Sequence, residues 1–375
     1  MNIHDHPITI VGAGVAGLAV ARALSLRGAE VDICERRGEI GEVGAGLQVS
    51  PNGLRVIDGL GLGEALRDVA VRAEAVILRD GASGRQVLRL DLSRTGGETY
   101  FVHRARLIEV LARGAFDANV EFEMGTPVEP GERAAFVIGA DGWRSRFRAA
   151  INGEETPFFT GQVAWRALIP DAGSPPVAEV FMGPGRHLVS YPLAGGLRNI
   201  VAVEERGVWA EAGWNHRDDP GAVRAAFAGF GGPVPDWLAA LDDVYLWGLF
   251  RHEVADTWFD EKAAILGDAA HPTLPFLAQG ANMALEDAWV MAALLGQMPR
   301  AEALALYQAA RRPRVSRVIE AANANARNYH LGGLTKFAAH TGLRIAGKVA
   351  PDAALRRFDW LYGYDATTEF PMANG

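Results

Sequence analysis

"ITIVGAGVAGLAVARALSLRGAEVDICER" (Ile8 to Arg36) places Gly12, Gly14 and Gly17 within six residues of an almost uncharged run. The β-branched "ITIV" reads as a buried strand. "VAGLAVARALSLRG" is proline-free and rich in Ala and Leu, so it reads as a helix ended by Gly28. "AEVDICE" then reads as a second strand, which makes one βαβ unit. A membrane span would need about 20 apolar residues without such breakers. A signal peptide would need a basic leader, and Met1 to Pro7 holds two histidines and an aspartate instead. The glycines have separate tasks: Gly12 for the tight turn, Gly14 for close approach of a pyrophosphate, and Gly17 for close helix packing. The helix start offers free N–H groups to phosphate. Glu35, at the end of the second strand, suits ribose hydroxyls. The pattern predicts a dinucleotide site.

The chain has 375 residues, enough for two packed units. Its 49% hydrophobic and 22% charged residues are those of an ordinary globular protein, and a net charge of −8 argues against nucleic acid as partner. One cysteine, Cys34, rules out an internal disulfide and reads as a small buried hydrophobe in a reducing cytoplasm. The nine histidines show no HxxxH spacing and no CxxC occurs, so no metal is expected.

Beyond Arg36 a glycine-rich loop leads to a short helix from Pro51. "AEAVILRDGASGRQVLRLDL" alternates about Asp80-Gly81 like a hairpin. "HRARLIEVLARGA" reads as a helix and "AAFVIGADG" as a strand. From about Gly161 to Glu253 strands and turns dominate, interrupted by the helical "PGAVRAAFAGF". "KAAILGDAAHP" returns to strand and turn, and helices follow, with Val315, Ile319, Ala322 and Ala326 on one face. Two further turns stand out. "VIGADGWRSRFR" (Val137 to Arg148) sets Asp141 at a strand's C-terminal end, where sheet folds place ligands. In "ILGDAAHPTLPFLAQGANMALEDA" (Ile265 to Ala288), Asp268 ends a strand, prolines stiffen the loop, and Gly280 to Asn282 open a helix.

The three motifs together resemble the FAD-dependent aromatic hydroxylases, the single-component flavoprotein monooxygenases of the p-hydroxybenzoate, salicylate and 3-hydroxybenzoate hydroxylase type. The resemblance runs over roughly residues 7 to 330. It implies an α/β fold: a Rossmann-like FAD-binding domain of the GR2 type interleaved with a mostly β substrate domain, plus C-terminal helices. The expected division is 1–72, 100–160 and 255–300 for FAD, 73–99 and 161–254 for substrate, and 301–375 for the helices. It implies that Gly12, Gly14, Ala16 and Gly17 hold the pyrophosphate, with Glu35 and Arg36 at the adenosine ribose. Arg104 and Asp268 fall to the ribityl and phosphate region, Asp141 lies near FAD and passing NADH or NADPH, and Gly46 and Gln48 lie beside the flavin. The backbone of Gly280, Ala281 and Asn282 faces the flavin N1/C2 carbonyl, where donors stabilise developing negative charge. One departure is that Arg106 stands where an acid often follows Arg104.

The implied reaction is hydroxylation of a small phenolic or heteroaromatic ring, carboxylated or not, by NAD(P)H and O2 through a flavin C4a-hydroperoxide. Alternatives are an FAD-dependent oxidoreductase that inserts no oxygen and a non-catalytic flavin-binding protein. A phenol reacts better once deprotonated, so a base is expected. In "GRHLVSYPL" strand alternation puts His187, Val189 and Tyr191 on one face. His187 is the candidate base, with Tyr191 and Gln48 the other candidate catalytic and substrate-orienting groups. Arg166 is a candidate partner for a substrate carboxylate, and Pro275 and Phe276 for an apolar wall. "WRALIP" has Ala167 where the flavin halogenase signature has a second Trp, which disfavours halogenation. The expected form is a cytoplasmic monomer or homodimer, without membrane or nucleic-acid partner.

Overall fold

In the computed structural model, which describes residues 7–41, 45–133, 136–207, 216–350 and 353–371, the opening stretch forms strand Ile8–Val11, helix Val15–Ser25 and strand Val31–Glu35. The two strands pair in parallel, Ile8 beside Val31 and Val11 beside Cys34. Their apolar, β-branched residues are buried on both faces, as a parallel sheet requires. The full sheet has five strands in the order Ala263–Ile265, Phe136–Gly139, Ile8–Val11, Val31–Glu35, Glu121–Met124, and every pair is parallel. The first two residues of "AAFVIGADG" lie outside the described residues. Helix Val15–Ser25 packs against helices Arg104–Asp117 and Gly280–Leu295. This order sets three distant turns side by side, at Gly12, at Ala140–Asp141 and at Gly267–Asp268. All lie at the C-terminal ends of their strands, the ligand-binding edge of such sheets.

An eight-stranded sheet makes the second layer, in the order His216–Asp218, Val244–Arg251, Phe158–Pro170, Leu197–Glu205, Arg186–Leu193, Val177–Gly183, Ala75–Asp80, Gln86–Asp91. It is antiparallel except where Val177–Gly183 runs parallel to Ala75–Asp80. The hairpin read at Asp80-Gly81 is present, and that parallel pair joins it to strands about a hundred residues later. One sheet face is apolar and packs under the insert helices Pro220–Ala226 and Val234–Ala239, with Trp165, Phe181 and Phe227 at its centre. A third sheet, not expected from the sequence, pairs Gly46–Val49, Tyr100–His103 and Ala70–Arg72.

Helix Arg300–Tyr329 keeps Val315, Ile319, Ala322 and Ala326 on a buried face and continues through Pro313. Helix Gly333–Val349 lies along strand Gln86–Asp91. The chain then returns to the parallel unit. Arg55 donates to the carbonyls of Tyr362 and Tyr364 at 2.7 and 3.1 Å, and Trp289 Nε1 donates to Phe370 O at 2.9 Å. Among the described residues no helix is long and apolar enough to cross a membrane.

Candidate active site

Strand alternation builds one wall of a cavity of about 1230 Å³ that runs from the glycine turn to the large sheet. Val76 and Leu78, Leu88 and Leu90, Val180 and Met182, Val189 and Tyr191, and Val201 and Val203 all line it, two apart on their strands. A pocket for one small ligand holds roughly 300–1,000 Å³. This cavity therefore has room for a large cofactor with a small molecule beside it.

At the parallel-sheet end, Gly12 adopts φ +108°, and a Cβ there would stand 2.5 Å from Ala140 O. Gly17 lies behind the turn, against the Gly12 carbonyl, and does not line the cavity. Gly14 differs: a Cβ there meets nothing within 4 Å and would project into open space. Helices Val15–Ser25 and Gly280–Leu295 both start at the cavity, and neither has an acidic residue in its first turn. Two partial positive charges thus face the same space. Glu35 lines it while holding the turn, Oε2 accepting from Ala13 N–H and Oε1 from Arg37 N–H, both at 2.9 Å. Ala16, Arg36, Gly46, Gln48 and Arg104 line it as well.

Two carboxylates complete this end. Asp141 Oδ2 accepts from Arg146 N–H at 2.8 Å, whereas Oδ1 is buried without a partner. Burial pushes its carboxyl up, against the hydrogen bonds it accepts. Asp268 opens onto the cavity with protein around it; burial raises its carboxyl too, and the Arg104 and His271 charges oppose that. A cradle at Gly14, an orphaned acceptor at Asp141 and two helix starts fit a pyrophosphate flanked by sugar hydroxyls, which is the chemistry of FAD.

The third motif arrives by a buried network. Gly280 and Ala281 line the cavity, but Asn282 does not. Its Nδ2 donates to Gln48 O at 2.9 Å and its Oδ1 accepts from Ser50 N–H at 3.0 Å, so the side chain ties the helix to the small sheet. Behind it, Arg311 is fully buried and pairs with Glu286 at 2.6 Å and Asp287 at 2.7 Å. Asp287 also meets His271 Nε2 at 2.5 Å, which together with Arg311 holds its carboxyl down at about 2 against the effect of burial. Two acids in the otherwise apolar "GANMALEDAWVMAALL" were the sequence signal for this network, since buried charges require partners.

At the large-sheet end, His187 and Tyr191 share one face of their strand, as alternation predicted; that face lines the cavity, and Arg166 lines it from another strand. Phe276, in the turn Pro275–Leu277, sets its ring edge-on to His187 at 5.6 Å. Tyr191 stacks on Phe101 at 4.8 Å, and burial pushes its phenol up, with Arg166 opposing. The Arg166 guanidinium lies over Trp247 at 4.9 Å. His187 is buried and its pKa is held well below the usual histidine value, by burial first and by His330 second, which leaves the ring neutral. Its Nδ1 lies 2.7 Å from His330 Nε2.

The sequence reading missed the C-terminal residues that close this end, including Tyr329, His340, Leu343 and Phe358. It left the pairing of Arg106 open; the structure pairs it with Glu109, on the surface. It did not bring Asp32, Cys34 and Glu123 together. Parallel pairing does so with a spacing that suits a metal, but the Arg133 guanidinium already bonds Glu123 and reaches Cys34 Sγ at 3.2 Å. Burial raises that thiol to about 11.

A parallel nucleotide-binding sheet, its strand tips facing a cavity walled by an antiparallel sheet, defines a two-part flavoprotein. The FAD binding domain family model matches residues 5–132 and 128–322. A 3-amino-4-hydroxybenzoate 2-monooxygenase of Streptomyces platensis is 33% identical over 391 residues, covering 96% of each chain. A 3-hydroxybenzoate 6-hydroxylase of Klebsiella oxytoca is 31% identical, covering 95% of this chain and 96% of the relative. The crystal structure of Klebsiella pneumoniae HpxO complexed with FAD and uric acid superposes with a TM-score of 0.83 at 26% identity, covering 96% and 97%. The chain belongs to the FAD-dependent aromatic hydroxylases. It is an enzyme of the flavoprotein monooxygenase class, with FAD as its cofactor.

Proposed function

We propose that this enzyme hydroxylates a small phenolic ring of the aminohydroxybenzoate or hydroxybenzoate class. NAD(P)H supplies two electrons, one atom of O2 enters the ring and the other leaves as water. FAD supplies the activation of O2 once NAD(P)H has reduced it. The parallel-sheet part of the chain holds FAD: Gly12, Gly14 and Ala16 at the pyrophosphate, Glu35 and Arg36 at the adenosine ribose, Arg104 and Asp268 along the ribityl chain. Asp141 offers its unpartnered oxygen to a cofactor hydroxyl. The N–H groups of Gly280 and Ala281 face the flavin carbonyl, and Asn282 holds their helix start in place.

The large sheet holds the substrate. His187 takes the phenolic proton, Tyr191 and Gln48 orient the ring, Arg166 pairs with a carboxylate, and Pro275 and Phe276 give an apolar wall. We place the enzyme in the cytoplasm, as a monomer or homodimer. The observation that carries this reading is the neutral His187 on the cavity face of its strand, with Tyr191 two residues on and Arg166 on the same wall. NADH and NADPH oxidation by FAD-loaded enzyme should be measured with a panel of phenolic acids that includes 3-amino-4-hydroxybenzoate and 3-hydroxybenzoate. An active acid should accelerate oxidation and yield a product heavier by one oxygen atom. His187→Gln should lower that yield and raise H2O2. Turnover that needs no O2, or a panel with no active member, rejects the reading.

A further inference from the structure

We propose that His330 and Glu205 carry the phenolic proton from His187 to the protein surface. The inference rests on the reading of His187 as the base. His187 Nδ1 lies 2.7 Å from His330 Nε2, and His330 Nδ1 lies 2.6 Å from Glu205 Oε1. The three side chains come from strand Arg186–Leu193, the residue capping helix Arg300–Tyr329 and the last residue of strand Leu197–Glu205. Exposure rises along the chain: 2% for His187, 9% for His330, and 53% for the Glu205 side chain. The row starts at the cavity wall and ends in water.

The direction of the row follows from its outer end. An ionised carboxylate can only accept, so His330 must carry its hydrogen on Nδ1. His330 Nε2 is then an acceptor, which fixes the His187 hydrogen on Nδ1. His187 Nε2 is left as a lone pair, the form a general base needs. Glu205 thereby sets the tautomer of a ring two residues away in the row.

Transfer balances at each link. The phenolic O–H bond breaks and an Nε2–H bond forms on His187. The Nδ1 proton of His187 passes to His330 Nε2, and the Nδ1 proton of His330 passes to Glu205, which yields it to water. The reverse passage protonates the product phenolate and restores both tautomers. Without such a path the proton would stay on His187, where burial opposes a cation. The neighbours leave the row intact. Tyr329 faces His187 at 5.2 Å and Phe276 at 5.6 Å. Arg186 and Arg206 are both engaged by Glu204, at 3.4 and 3.1 Å. His330 and Glu205 are positioning residues, since neither lines the cavity.

The test uses FAD-loaded enzyme and the phenolic acid that most accelerates NAD(P)H oxidation in the panel. Glu205→Leu, a change at a half-exposed site, should lower kcat about tenfold and leave KM within about twofold. The acid limb of its kcat/KM profile should move down by about one pH unit, because losing the carboxylate removes what favours the protonated His330 ring. His330→Ala should lose more, and added imidazole should restore it. Bound-flavin absorption and thermal melting identify any variant that fails to fold, in which case Glu205→Gln and His330→Gln are read instead, with the same loss expected. Wild-type pH profiles in folded variants, or a His330→Ala loss that imidazole does not restore, overturn the relay. If an acid is active and the variants match wild type, only the relay fails. If no acid is active, the phenolic reading itself fails and the relay with it.

Discussion

Gly17 rests against the carbonyl of Gly12 so closely that a Cβ added there would overlap its oxygen. Gly14, between them, has no atom within 4 Å of the same position. The two glycines thus answer to different constraints, one within the protein and one from its ligand. Gly17→Ala should destabilise the FAD-free protein by about 1–3 kcal/mol in urea unfolding, as forced overpacking does. Gly14→Ala should leave that curve unchanged and weaken FAD binding, read by flavin fluorescence. Equal stability losses in the two variants would remove the distinction.

Arg311 is buried with Glu286 and Asp287 as its acids. Such a cluster is weak as a source of stability, yet removing one member leaves the others uncompensated. Arg311→Met should cost about 3–5 kcal/mol. Arg312→Ala, which loses only the surface pair with Asp256, should cost at most about 1 kcal/mol. Comparable denaturant midpoints for the two would contradict this account.

Much of the cofactor end was legible because each of its turns directly follows a short apolar strand, and parallel strands present such turns at one edge. The face carrying His187 and Tyr191 was legible because alternation needs no knowledge of the strand's neighbours. What escaped depends on long-range closure. His330 lies 143 residues beyond His187, and nothing local marks it as a partner. Helix Gly333–Val349 turns His340 and Leu343 to the cavity while leaving Leu334 and Phe337 exposed, so its apolar pattern does not tell which face is buried. Glu286 and Asp287 interrupt an apolar helix and so call for a partner, but nothing local marks Arg311, 24 residues beyond Asp287, as that partner.

Arg166 shares the cavity wall with Tyr191, whose phenol responds to its charge. A charged hydrogen bond to a substrate carboxylate contributes roughly 1.5–3 kcal/mol, which is tenfold or more in binding. Arg166→Gln should therefore raise KM about tenfold or more for a hydroxybenzoate and leave that for the matching phenol without a carboxylate little changed. Steady-state NAD(P)H oxidation with both ligands decides it. An equal change in the two KM values would assign Arg166 to packing against Trp247 instead.

The five histidines with displaced pKa values, His103, His187, His252, His330 and His340, are all displaced downward, with burial the largest cause in each. The folded chain therefore refuses protons that the unfolded chain accepts below about pH 6.5. Stability should be full above that pH and should fall as pH drops from 7 towards 5.5. The low carboxylates act elsewhere: Asp80 and Asp287, both held at about 2, lose their contribution only as pH falls below the ordinary carboxylate value. The raised Asp141 and Asp268 carboxyls act in the opposite sense, gaining stability on acidification. His187 is the most deeply buried of the five. Thermal melts of the FAD-free enzyme at fixed ionic strength should show Tm falling from pH 7 to 5.5, with a shallower fall in His187→Gln. A Tm that stays level or rises on acidification would mean that these rings take up protons in the folded state, and the neutral His187 required of the base would be lost with it.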